Sequence, residues 1–317
     1  MRRVLVTGAS GFIGSAVLEE LERAGKYQPI ALIRNPVRNS INIESIYAEN
    51  LLSLTAIDLQ SFDAIIHCGA RVHIMQDKAA DPLAEFRKAN VEATLHLAQK
   101  ASRAGVRRFI FLSSIKVNGD GPTDESPYRA DDMPNPADPY GLSKMEAEAG
   151  LKAIAEATDL EVVVIRPVLV YGPGVKANFH SMMLWLNRCI PLPLGSVHNK
   201  RSLVALDNLV DLIATCIDHP AAANQTFLVS DDEDLSTSCL LRRLAKALNK
   251  PAWLVPVPEA FLEFSARALG KRAVAQRLCG SLQVDISKTK DLLQWSPIIS
   301  VDKALKKTAE RFLEKHS

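Results

Sequence analysis

Short apolar runs alternate with longer amphipathic stretches through the first half of the chain. That pattern belongs to a parallel sheet wrapped by helices. It predicts strands over Arg3–Thr7, Ile30–Ile33, Ser53–Ile57, Ala64–His67, Arg108–Leu112 and Glu161–Arg166. Between the first two, Val17, Leu18 and Leu21 recur at helical spacing and Gly25 supplies a terminator, so residues 12–24 should form a helix. Asp81-Pro82 opens a second helix as N-cap and first-turn proline, with Val91, Leu95 and Ala98 as its buried stripe and Gly105 at its end. Pro139 starts a third that runs to about Thr158 and carries Tyr140 and Lys144 on one face.

Beyond Arg166-Pro167 the texture changes, as Pro173, Pro191, Pro193 and several glycines break the chain into short elements. Helices are expected over Phe179–Cys189, Asp207–Asp218, Thr237–Leu248, Glu259–Leu269, Ile286–Leu293 and Val301–Lys315, with strands near Leu203–Ala205 and Phe227–Ser230. The fold class is therefore α/β: a doubly wound parallel-sheet domain over residues 1–175, then a smaller α/β substrate domain over 176–317. Segments around 200–230 are candidates to return to the first domain.

A length of 317 residues suits two such units. With 47% hydrophobic and 23% charged residues, the composition is that of an ordinary soluble globular protein. Thirty-eight basic residues against 36 acidic leave +2, which favours neither nucleic acid nor a membrane surface as partner. The five cysteines are scattered, odd in number and without a CxxC pair, so no disulfide framework or metal site is expected. No secretory segment or stretch of ~18 apolar residues is read, and a cytoplasmic location is the expectation.

Gly8, Gly11 and Gly14 stand at three-residue intervals where the first strand meets the first helix. In that context the first glycine permits a tight turn, the second lets backbone N–H groups approach a pyrophosphate, and the third allows close helix–sheet packing. At the end of the second strand, where an NAD site usually offers an acid, the chain reads Ile33-Arg34-Asn35. A guanidinium there can clamp a 2′-phosphate, so NADP(H) is expected, with NAD(H) as the alternative and a solvated surface arginine as the plainer reading. Asp58 is placed either to accept from an adenine amino group or to cap a turn.

A free tyrosine has a pKa near ~10; an ammonium one helical turn away would lower it, and Lys144 stands there. The strand over 109–112 ends in Ser113-Ser114 at the carboxyl edge of the expected sheet, where ligands bind in open parallel sheets. Ser114, Tyr140 and Lys144 are the candidate catalytic group, and hydride transfer is the chemistry they suit.

These residues resemble those of extended short-chain dehydrogenases/reductases with a Rossmann domain, in the branch of nucleotide-sugar epimerases, dehydratases and ketoreductases. The likeness spans Thr7-Gly8-x-x-Gly11-x-x-Gly14, Asp58-Leu59, His67-Cys68-Gly69-Ala70, Asn90, Ser113-Ser114, Tyr140-x-x-x-Lys144 and Arg166-Pro167 through Tyr171-Gly172-Pro173-Gly174. It implies that Gly8, Gly11, Phe12, Ile13, Gly14, Arg34, Asp58, Leu59, Ala70, Tyr140, Lys144 and Pro167 bind cofactor. Ser114 and Tyr140 would polarise the reacting oxygen, Lys144 would hold the ribose, and Pro167 would lie beside the nicotinamide. It further implies that Arg201 holds the phosphates of a UDP-sugar and that Asn178 contacts the diphosphate; an ion pair with Asp207 and a helix cap are their plainer readings. Lys271 or Arg272 would add a phosphate contact. A homodimer through the helices after Pro82 and Pro139 is common in such proteins.

Dehydratases of this branch carry an acidic pair after the active-site hydroxyl residue, whereas this chain has Ser114-Ile115-Lys116. Lys116 is unusual for epimerases too, and is read as a cation near the sugar or its phosphates, or as a solvated lysine. The segment Ser114–Gly119 resembles bacterial 4-ketoreductases acting on UDP-4-keto-6-deoxy-N-acetylhexosamines for surface polysaccharide assembly. The expectation is thus NADPH-dependent reduction of a UDP-4-keto-sugar. The alternatives are an NAD-dependent UDP-hexose 4-epimerase and a non-catalytic NADP-binding regulatory protein.

Overall fold

Seven strands form one parallel sheet in the order β3-β2-β1-β4-β5-β6-β9. They are β1 (Arg2–Thr7), β2 (Tyr27–Ile33), β3 (Ser45–Tyr47), β4 (Ala64–His67), β5 (Arg108–Leu112), β6 (Glu161–Pro167) and, after β7 (Leu169–Tyr171) and β8 (Arg201–Ala205), β9 (Gln225–Val229). A smaller sheet joins β7 and β8 in parallel to the short antiparallel β10 (Asp234–Leu235). The computed structural model describes residues 1–34, 43–53, 57–72, 81–121, 126–268, 270, 276 and 278–316. No helix among them is long and apolar enough to cross a membrane.

The helices are α1 (Phe12–Ala24), α2 (Pro82–Phe86), α3 (Ala93–Arg103), α4 (Pro139–Ala157), α5 (Ala177–Asn187), α6 (Leu206–Asp218), α7 (Thr237–Ala247), α8 (Glu259–Ala268), α9 (Ser287–Leu293) and α10 (Val301–Glu314). Side chains alternate across the large sheet. Leu5, Ile65, Phe109, Phe111, Val162 and Val164 face α3 and α4. Val4, Val6, Ile66, Ile110, Leu112 and Val163 face α1 and α6. Both faces are covered, as the continuous apolar runs require. A separate core gathers Tyr171, Phe179 and Leu203 with the inner faces of α7 and α10.

Two expectations change. The third strand is Ser45–Tyr47, in register with Ala31–Ile33, not Ser53–Ile57. Leu51–Ser53 make a short 3-10 turn, and residues 54–56 lie outside the described residues. An edge strand this short buries little, so its apolar signal is weak. The helix opened by Asp81 does start there, with the carboxylate accepting from Ala84 N at 3.0 Å, but a π turn over Arg87–Glu92 interrupts it. That turn rotates Asn90 inward, fully buried. Segments near 200–230 divide: β8 lies in the small sheet, while α6 packs on α1 and β9 pairs with β6.

Candidate active site

At the end of β1 the chain turns sharply: Gly8 has φ +66°, and Gly11 N donates to Gly8 O at 2.8 Å. A Cβ on Gly8 would stand 2.6 Å from Gly69 N, and one on Gly14 only 2.2 Å from Gly8 O. The turn therefore fits only glycine at both positions. Gly11 begins α1 without any side-chain cap and the first turn holds no acid, so the leading N–H groups face the cleft open to an anion. Behind the turn, a buried His67 ties Thr7 (2.6 Å) to Thr94 (3.0 Å); burial, with the Lys144 charge, depresses it to about 3 and keeps it neutral.

A cleft of about 1960 Å³ runs over this turn. Gly8, Gly11, Phe12, Ile13, Gly14, Arg34 and Ala70 line it, whereas Asp58, Leu59, Tyr140, Lys144 and Pro167 do not. Leu59 is buried in the core and Asp58 caps a 3-10 turn, accepting from Gln60 N at 3.0 Å. Glu49 and Asn50, which no motif marks, line the same cleft as Arg34 because Ile33 pairs with Tyr47. The end beyond β2 accordingly offers a carboxylate as well as a guanidinium. A dinucleotide fits this architecture: glycine backbone and an uncapped helix for its pyrophosphate, polar groups beyond β2 for its ribose.

The catalytic candidates converge at the carboxyl edge of the sheet. Ser114 follows β5 and its side chain acts on Tyr140, favouring the ionised phenol, while its hydroxyl accepts from Lys116 N at 3.2 Å. What allows the approach is Gly141, since a Cβ there would stand 2.7 Å from Lys116 O; Asp138 caps α4 by accepting from Gly141 N at 2.7 Å. Phe86 meets the Tyr140 ring edge-on at 6.1 Å. Burial pushes the Tyr140 phenol up to about 12, opposed by the Ser114 side chain and reinforced by the Asp138 carboxylate.

Lys144 is buried, donates to Leu112 O at 2.8 Å and lies 4.4 Å above the Phe111 ring. Burial lowers its ammonium to about 8 against the raising influence of Glu148 and Cys68. Its expected lowering of the Tyr140 phenol is not what these contacts produce, because the ammonium is directed at the Leu112 carbonyl instead. Pro167 is the last residue of β6, buried and paired with Val229.

Two networks hold these groups; the likeness names Asn90 and Arg166 without a role, and Glu148 is not among its residues. Asn90 donates to Arg71 O and Ser143 Oγ, both at 3.0 Å, and accepts from Arg71 N at 2.8 Å. It thereby joins the loop that lines the cleft to the helix bearing Tyr140. Glu148, one turn beyond Lys144, receives Arg166 Nε at 3.0 Å and the Ser113 hydroxyl, while Arg166 Nη1 donates to Asn118 Oδ1 at 3.0 Å. The spacing Tyr140, Lys144, Glu148 is the signal that could have revealed it.

The substrate candidates are spread more widely. Lys116 is paired with Asp120 and, at 3.7 Å, with Asp138. Arg201 opens β8 and donates to Gly280 O at 2.9 Å; Asp207 instead pairs with Lys307 at 2.8 Å. Asp120 acts electrostatically on Arg201 as well as on Lys116, which brings those two cations into one neighbourhood. Asn178 is exposed in the first turn of α5, whose N-cap is Lys176, so it is not the helix cap. Lys271 and Arg272 lie outside the described residues.

A family model described as the NAD dependent epimerase/dehydratase family matches residues 4–230. The chain is 46% identical over 319 residues to a UDP-glucose 4-epimerase of Vibrio cholerae, covering 99% of this chain and 96% of that protein. It is 28% identical over 334 residues to a UDP-glucose 4-epimerase of Mycolicibacterium smegmatis, covering 99% of each. A solved UDP-glucuronic acid 4-epimerase from Bacillus cereus in complex with NAD shares the fold, with a TM-score of 0.79 at 21% identity over 99% of this chain and 100% of that one.

Proposed function

This chain belongs to the NAD dependent epimerase/dehydratase family, and we propose on that footing that it is a UDP-hexose 4-epimerase working with bound NAD. The observation that carries the reading is the 46% identity, over 99% of the chain, to a protein named as a UDP-glucose 4-epimerase. The reductase expectation drawn from Ser114–Gly119 gives way to this alternative.

A bound dinucleotide would supply the hydride acceptor and donor for the sugar C4; the turn over residues 8–14 would hold its pyrophosphate and Lys144 its ribose. Tyr140 Oη takes the proton of the 4-hydroxyl as the hydride leaves and gives it back on return, so the cycle balances without a second reductant. Ser114 Oγ holds the same sugar oxygen, a role its influence on the Tyr140 phenol supports. Arg201 would steady the diphosphate, with Asn178, exposed in the first turn of α5, as a second contact. A dehydratase is disfavoured because Ile115 is buried and Lys116 is engaged with two carboxylates, leaving no acidic pair beside Ser114.

One observation favours a second reading. Arg34 lines the cleft just beyond β2, where it suits the 2′-phosphate of NADPH and hence reduction of a UDP-4-keto-sugar. Purified protein given UDP-galactose should yield UDP-glucose with no net change in nicotinamide absorbance. Stoichiometric NADPH oxidation with a UDP-4-keto-6-deoxy-N-acetylhexosamine, and no sugar interconversion, would overturn the epimerase in favour of the reductase.

A further inference from the structure

Lys116 stands between the two halves of the catalytic pair. It belongs to the 3-10 turn directly after Ser114, its N–H donates to Ser114 Oγ at 3.2 Å, and its carbonyl is the group against which Gly141 packs. Its side chain crosses to the start of α4, where the ammonium lies 3.7 Å from the Asp138 carboxylate while also pairing with Asp120. Asp138 cannot be dispensed with locally, because it caps the helix that presents Tyr140. Yet a carboxylate two residues from a phenol that must ionise works against that ionisation.

We propose that Lys116 is a positioning residue that offsets the Asp138 carboxylate beside Tyr140, letting the helix keep its cap with less opposition to ionisation of the phenol. The proposal rests on Tyr140 being the proton-handling group of the reaction described above. Its geometry explains why Lys116 is bound to two carboxylates rather than turned toward a phosphate. The other charged and polar groups around the phenol are few. Ser114 faces it from the turn after β5, and Phe86 from α2, with Arg71 over the far ring at 5.7 Å and Glu85 3.9 Å from Arg71. Lys144 lies one turn along α4 with its ammonium on Leu112 O. Asp120, the second partner of Lys116, also acts on Arg201. Among the causes acting on the phenol, Asp138 is the one that adds to burial in raising it.

A double-mutant cycle tests this, read from the pH profile of turnover in the cofactor-loaded protein and from the ring-carbon NMR resonance of Tyr140, assigned by its loss in Tyr140→Phe. Lys116→Met should move the Tyr140-linked limb upward by about 0.5 to 1 pH unit, with KM for the UDP-sugar unchanged. Lys116→Arg should restore the wild-type profile. Asp138→Asn keeps a capping oxygen, and in that background Lys116→Met should no longer move the limb. An equal shift in both backgrounds, or a higher KM with an unmoved profile, would overturn the proposal. If the reaction proves to be reduction, Tyr140 acts as acid and the limb changes sides, but the shift in its pKa keeps its sign; the NMR titration reads it without turnover.

Discussion

At the dinucleotide end of the cleft the chemistry comes from backbone: residues 8–14, contiguous in the chain, form a turn in which two glycines have no room for a side chain. In the proposed catalytic group, which is not part of the cleft lining, it would come from side chains on separate segments, with Ser114 after β5, Tyr140 and Lys144 on α4, and Asn90 and Arg166 behind them. In the second, Lys144 is buried and Ser114 and Tyr140 are half-buried, and the lysine and tyrosine are displaced from their ordinary values. A backbone site is spoiled by adding atoms, a buried side-chain site by removing a partner.

That contrast can be broken most severely at Glu148. Glu148→Ala strips the carboxylate from the buried Arg166 guanidinium and should cost about 3–5 kcal/mol of stability, read as a lower urea midpoint. Loss of less than about 1 kcal/mol would mean the catalytic end does not depend on that pair.

Lys144 sharpens the same point through pH. Its folded value near 8 lies below the ordinary 10.5, so between those limits the unfolded chain binds more protons than the folded one. The stability difference between wild type and Lys144→Met should therefore rise with pH across that window, by up to about 3 kcal/mol. Urea unfolding of both proteins at successive pH values reads it; a flat difference refutes the burial of a charged ammonium.

Gly14→Ala tests the other end. The added Cβ meets backbone 2.2 Å away, and relieving it should cost about 1–3 kcal/mol, or roughly 5- to 150-fold in dinucleotide affinity by calorimetry. Smallest is Arg34→Ala: NADPH should bind about fivefold more weakly and NADH unchanged, since one exposed ion pair contributes roughly 1 kcal/mol. Equal losses for both cofactors would remove Arg34 from the 2′ position.

The helices of the first half and five of its strands follow the apolar periodicity closely. Ser45–Tyr47 does not, being too short to carry an apolar signal, and neither does the π turn at Arg87–Glu92, whose effect on Asn90 has no local composition cue. In the second half, the helices over 206–218 and 301–314 match the amphipathic pattern closely, while β7 and β10 lie outside the expected strands and pair with β8. Asp58 has two readings in the sequence, and the structure shows the cap on Gln60 N.

Sequence alone determined the glycine turn, the Tyr140/Lys144 spacing and the doubly wound sheet, because each depends on residues close together in the chain or on a period set by backbone geometry. Tertiary structure decided which charges meet. Lys116 with Asp138 and Glu148 with Arg166 are separated in sequence and become neighbours only when strands align at one sheet edge, and Glu49 likewise comes to line one cleft with Arg34. Electrostatic energy depends on distance and burial, and neither is written in the order of residues.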